Sequence, residues 1–107
     1  MTESSQKWIV EFSRKASGQM KRFEKEQPKV YAAATTLAKE IESAGPYRSN
    51  WSNFSRLRKD RFIPDNAYHC HIKSGKPTYV ACWTIEDKKV KIVEIFYVGT
   101  HEKAPYE

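Results

Sequence analysis

The spacing of apolar residues changes twice along this chain, and each change predicts a different element. Lys7-Trp-Ile-Val-Glu-Phe12 is a short run rich in β-formers after a polar start, and it predicts a first strand. Ser13 follows as a helix cap, because its hydroxyl can accept an orphan backbone N–H of the first turn. Ala16, Met20 and Phe23 then fall at i, i+4 and i+7, one face of a helix ending near Glu26. Pro28 suits the first position of a second helix, where its missing N–H costs little. Val30, Ala33, Ala34, Leu37, Ala38 and Ile41 form that helix's apolar stripe, and Gly45-Pro46 stops it. So short a joint predicts an antiparallel helix hairpin.

From Pro46 to Asn66 no period is sustained. Alternation begins at Tyr68, with Tyr68, Cys70 and Ile72 on one face of a strand and His69, His71 and Lys73 on the other. Ser74-Gly-Lys-Pro77 turns the chain into a second run, Thr78 to Glu86. Asp87-Lys88 turns it again into Lys89 to Gly99, whose centre is apolar except for Glu94. The order predicts an α+β fold over residues 1–107. The helix pair packs on one face of a four-stranded sheet, made of the N-terminal strand and a three-stranded antiparallel meander. The opposite face is left for function.

Charge adds a direction to that picture. Nineteen Lys and Arg against thirteen Asp and Glu leave the chain at +6, a field that favours polyanionic partners. The excess is concentrated. Between Pro46 and Arg61, Arg48, Arg56, Arg58, Lys59 and Arg61 face only Asp60, with Tyr47, Trp51 and Phe54 interleaved. Cations for phosphate and rings for stacking are how single-stranded nucleic acid is commonly held, which makes Trp51, Arg56, Arg58 and Arg61 candidate RNA contacts. A solvated loop whose rings pack on the core is the alternative. No apolar run is long enough for a membrane span, and Met1 to Lys7 lacks the apolar core of a leader. Cys70 and Cys82 match no zinc or disulfide framework and read as small buried hydrophobes, so a reducing cytoplasm is the simplest setting.

The chain's three histidines fall where chemistry could assemble. His69 and His71 share a strand face at a spacing of roughly 7 Å. His101 lies just past the last strand, which a meander can return beside that face. Histidine titrates near neutrality and can give or take a proton, while lysine and arginine stabilise phosphate charge. Cleavage of a phosphodiester by the ribose 2′-hydroxyl needs a base, an acid for the leaving oxygen and cations on the phosphate. A zinc site built from the three histidines is a further alternative, but no carboxylate motif such as His-Glu-x-x-His supports it. The residues alone thus admit a nuclease, a nucleic-acid-binding domain without catalysis, or an interaction domain.

The opening Trp8-Ile-Val-Glu-Phe-Ser13 before a helix pair resembles the RelE/ParE superfamily of bacterial toxins from toxin–antitoxin systems. So do Tyr68-His-Cys-His-Ile-Lys73, Thr78-Tyr-Val-Ala-Cys-Trp-Thr-Ile85 and Val98-Gly-Thr-His-Glu102. The resemblance covers nearly the whole chain in element order. It implies a metal-independent, cofactor-free endoribonuclease that cuts mRNA, in the RelE branch within the decoding site of the small ribosomal subunit, and so stops translation. The products would be a 2′,3′-cyclic phosphate or 3′-phosphate, and the partner a cognate antitoxin. It also implies roles. His69 or His71 is the general base, and His101 the leaving-group acid or a phosphate contact. Tyr106 stacks on the substrate base or assists the leaving group, and Lys73 and Lys76 lie near the family's phosphate-binding arginine. No arginine follows Arg61 here, so Lys76 or a loop arginine (Arg56, Arg58 or Arg61) has to fill that place. The competing branch is the ParE-like gyrase poison, a binder with no use for proton-transfer groups. The histidines and Tyr106 favour the nuclease.

Overall fold

The computed structural model describes residues 7–106. The reading of Met1 to Lys7 as lacking a leader's apolar core falls almost wholly outside them. Strand β1 (Ile9–Phe12) leads into helix α1 (Arg14–Glu26), capped as expected: the Ser13 Oγ accepts the Ala16 N–H at 3.1 Å. Gln27 is at once the C-cap of α1 and the N-cap of α2 (Pro28–Ala44), so the two helices turn on a single residue. Ala16, Met20 and Phe23 of α1 and Val30, Ala34, Leu37 and Ile41 of α2 are buried together, which is the spacing the stripes predict. Gly45 ends α2 at φ +100° and donates its N–H to Ile41 O at 2.8 Å. Its bare Cα also admits the Trp8 indole, whose Nε1 would lie 3.3 Å from a Cβ there.

The sheet has five strands rather than four, in the order β1-β5-β4-β3-β2. The added strand is β2 (Ser52–Arg56), which lies in the stretch that shows no period and pairs antiparallel with β3 (Ala67–Lys73). Its sequence, Ser-Asn-Phe-Ser-Arg, carries one apolar residue, and a register shift between Ser52 and Ser55 interrupts the pairing. An edge strand of this kind leaves no alternation to read. β4 (Tyr79–Asp87) and β5 (Ile92–Thr100) complete the antiparallel meander, and β1 lies parallel to β5 with Ile9 opposite Ile92. The sheet is therefore mixed. The first strand begins at Ile9, not Lys7, because the Trp8 N–H goes instead to Glu42 O on α2.

The core between helices and sheet includes Tyr68, Cys70, Trp83, Ile95 and Val98. A register shift between β4 and β5 at Cys82/Trp83 leaves Phe96 unmatched, so that Phe96 and Tyr97 both serve the opposite face. The Gln19 Oε1 accepts the Val98 N–H at 2.8 Å just beyond it, tying α1 to the irregularity. That opposite face is not open as the sequence implies. Leu57, Ile63, Ala67, Val80, Cys82 and Tyr97 form a second buried cluster, with Ala104 and Tyr106 packed on it. The segment after β2 and the C-terminal residues thus roof part of the sheet. Among the described residues no helix is long and apolar enough to cross a membrane.

Candidate active site

The strand period places His69 and His71 on the face away from the helices, and the end of β5 delivers His101 beside them. The His101 N–H donates to Thr78 O at 2.8 Å, which fixes the short 3-10 turn His101–Lys103 against the start of β4. Tyr106 then folds back. The four rings close a circuit: His69 to His71 at 6.1 Å between centroids, His71 to His101 at 5.5 Å, His101 to Tyr106 at 5.8 Å, and Tyr106 to His69 at 4.5 Å. They line a cleft of ≈ 660 Å³ together with Asn53, Ser55, Arg56, Arg58 and Asp60, above Leu57 and Ile63.

The four groups are not equivalent. His69 is buried, and its Nδ1 lies 3.3 Å from the Ser55 Oγ across the β2–β3 pair. Burial, then the neighbouring charge of His71, pushes the His69 pKa down, with a Ser55 hydrogen bond opposing and His101 adding a little. His71 is half-buried and its pKa is lowered by burial and then by His101. Both imidazoles are thereby biased to the neutral form, which can accept a proton. His101 is exposed. The Tyr106 hydroxyl is buried with no hydrogen-bond partner among the described residues, and burial pushes its pKa up, so it stays protonated. Tyr106 therefore presents its ring to the histidines and buries its oxygen.

The predicted phosphate contacts divide. Arg56 and Arg58 line the cleft, and Lys76 lines an adjoining hollow that shares His71 and His101 with it. Lys73 is exposed at the end of β3, past a register shift, and does not line the cleft. Arg61 sits at the tip of the loop with its guanidinium 5.3 Å from the Phe62 ring, also outside the cleft. Trp51 is placed elsewhere altogether. It packs on the helix-side core, and its Nε1 donates to the Glu40 Oε1 at 2.8 Å. The same oxygen accepts from Arg48 at 3.2 Å and Asn50 at 3.0 Å, so Glu40 gathers the loop onto α2. Tyr47 and Phe54 likewise pack on Tyr68, with Tyr47 still exposed on its outer side, and Phe62, just past the basic stretch, is the more exposed ring.

Ser55, Asn53 and Asp60 in the cleft, and Lys103 in the adjoining hollow, are the residues that sequence reasoning misses. Ser55 could have been found only by recognising β2, since its register opposite His69 is what brings it in. Among the described residues no group of three His, Cys, Asp or Glu side chains is arranged to hold a metal ion. Cys70 and Cys82 are buried thiols, as expected, and burial pushes the Cys70 pKa up to about 12.

No protein-family model and no curated protein matches the sequence. Solved structures do. The YoeB dimer from Staphylococcus aureus is 17% identical with a TM-score of 0.69, over 89% of this chain and 98% of that one. A YoeB/ParE toxin from Agrobacterium tumefaciens is 8% identical with a TM-score of 0.70, over 87% and 98%. The YoeB–YefM complex from Staphylococcus aureus is 19% identical with a TM-score of 0.65, over 88% and 97%. Across nearly its whole length, and nearly the whole of theirs, this chain has the α+β fold of the YoeB/ParE toxin structures.

Proposed function

We propose that this protein is the toxin of a toxin–antitoxin pair and acts as a metal-independent endoribonuclease on mRNA. The observation that carries the reading is the closed circuit of His69, His71, His101 and Tyr106 in a cleft flanked by Arg56 and Arg58. A pure binder has no need of such proton-transfer groups. In the reaction the ribose 2′-oxygen attacks phosphorus, its proton passes to a base, and the bond from phosphorus to the 5′-oxygen breaks. An acid protonates that oxygen, leaving a 2′,3′-cyclic phosphate and a 5′-hydroxyl.

His71 is the base of this scheme, because it is neutral-biased and reachable, whereas His69 is buried behind it. His101, exposed and 5.5 Å from His71, is the acid or the phosphate contact. Tyr106 packs the site and does not assist the leaving group, since its hydroxyl is buried. Arg56, Arg58 and Lys76 supply the positive charge that developing phosphate oxygens require. Work on the ribosome suits a chain of +6, and an antitoxin partner accords with the YoeB–YefM complexes that share the fold.

The test is brief induction in cells with the 5′ ends of transcripts mapped, beside a ribosome-free assay containing EDTA. New ends that vanish in His71→Ala and His101→Ala, each slowed about 10²- to 10⁴-fold, support the reading. DNA damage with intact translation would instead indicate the gyrase-binding activity. A His69, His71 and His101 triple alanine variant that cuts at the wild-type rate would place the chemistry elsewhere.

A further inference from the structure

We infer that RNA leaving the histidine cleft follows a basic track around the molecule onto α1, with Lys15 and Arg22 as its far contacts. This rests on the ribonuclease reading above and extends it to residues that neither the sequence pattern nor the cleft singles out.

The track is built from three adjoining depressions. The cleft shares His71 and His101 with the hollow lined by Lys76 and Lys103. That hollow in turn shares Thr100 and Lys103 with a third, walled by Lys15 and Arg22 of α1 and floored by Tyr79 and Tyr97. Arg56, Arg58, Lys76, Lys103, Lys15 and Arg22 follow one another along it, against Asp60, Glu102 and Glu26. None of the six cations is in an ion pair among the described residues. The two on α1 are exposed but pre-positioned: the Lys15 Nζ lies 5.5 Å from the Tyr97 ring centroid, and the Arg22 guanidinium 5.3 Å from that of Phe23. A cation already resting on a ring loses less side-chain freedom when a phosphate arrives. The groove on the other side of α1 differs. There Lys21 and Lys39 meet Glu24 and Glu42, and the charges balance. Of the two sides of α1, the one that adjoins the track from the cleft is therefore the net positive one.

The experiment measures binding of the full chain to 2′-O-methyl RNA, which lacks the attacking hydroxyl and cannot be cut, at about 4 and about 16 nucleotides. The wild type should bind the long probe more tightly and with a steeper salt dependence. Lys15→Ala with Arg22→Ala should weaken the long probe about tenfold and flatten its salt slope by about 1.4, the value for two phosphates on a single strand. The short probe should be unaffected, as should both probes with the charge-matched Lys21→Ala and Lys39→Ala. Equal losses on both probes, no loss on the long one, or the same loss in the matched control would overturn the track. If the track fails while the wild type still cuts short RNA, the ribonuclease reading stands alone. If the wild type cuts nothing but the length-selective loss is seen, the surface stands and the ribonuclease reading falls.

Discussion

The Tyr97 hydroxyl lies 2.7 Å from the point that a Cβ on Gly99 would occupy. The ring bends back over the glycine so that its O–H donates to the Thr100 carbonyl at 2.7 Å, one residue before His101. Gly99 is thus needed for close approach. Gly99→Ala should displace the ring, destabilise the fold by about 1–3 kcal/mol and lower any cleavage with it, because a catalytic group moved by about 1 Å can lose about 10²-fold. Tyr97→Phe, which keeps the ring and loses only the hydrogen bond, should cost about 1 kcal/mol. Urea denaturation of the two variants separates overpacking from bonding. Equal losses would mean that the contact over Gly99 is unimportant.

Burial of His69 and His71 as neutral rings makes stability depend on pH. Both pKa values are lowered in the folded chain. Below the unfolded histidine value of about 6.5, the unfolded chain binds protons that the folded one resists. Stability should therefore be full above that value and fall as pH drops through the lowered folded values. His69→Gln should flatten this fall in denaturant midpoints measured between about pH 5 and 7. Cleavage by a neutral base should lose rate over the same acidic range. A rate independent of pH there would remove His71 from the role of base.

Glu40 acts in a second, more acid window. Hydrogen bonds from Asn50 and Trp51, and then Arg48, hold its carboxyl below the ordinary glutamate value. Its contribution is present above the unfolded value and should be lost as pH falls through the lowered one. Glu40→Ala frees three donors at once and should cost about 1–2 kcal/mol in thermal or chemical unfolding, discounted for the carboxylate's partial exposure. RNA affinity should stay within twofold. A large loss of affinity without a loss of stability would restore Trp51 to the binding surface.

These contacts explain how much the sequence disclosed. The helix hairpin was legible because Val30 to Ile41 repeats an apolar residue at helical spacing and Ser13, Pro28 and Gly45 punctuate it. The histidine face was legible because a strand's period of two sorts His69 and His71 from Cys70 without further information. β2 was not, since Phe54 alone cannot set a period. Nor was the roof over the second face, where Leu57 and Ile63 meet Val80 and Tyr97 from distant parts of the chain. Trp51 shows the same limit. A tryptophan among arginines has the composition of an RNA contact, and only the fold reveals Glu40 as its partner. Local pattern carried the elements and the face. Long-range pairing decided which basic and aromatic residues reach the site.

The Tyr106 hydroxyl supplies the sharpest test of the site, because its environment and its expected role by resemblance disagree. The oxygen is buried and has no partner among the described residues, a state that costs about 1–3 kcal/mol relative to a satisfied group. Tyr106→Phe removes the unpaired group and keeps the ring 4.5 Å from His69, so it should leave stability unchanged or raise it by up to about 1 kcal/mol. Cleavage should remain within about threefold of the wild type. Tyr106→Ala, in contrast, opens a gap between His69, His101 and the cluster around Cys82 and Tyr97. It should destabilise by about 2–4 kcal/mol and slow cleavage at least tenfold through the loosened imidazoles. Single-turnover rates at saturating enzyme, read beside melting curves, distinguish packing from chemistry. If Tyr106→Phe keeps its stability but loses about 10²-fold in rate, the hydroxyl must leave its buried position during the reaction, and the leaving-group role passes from His101 to Tyr106.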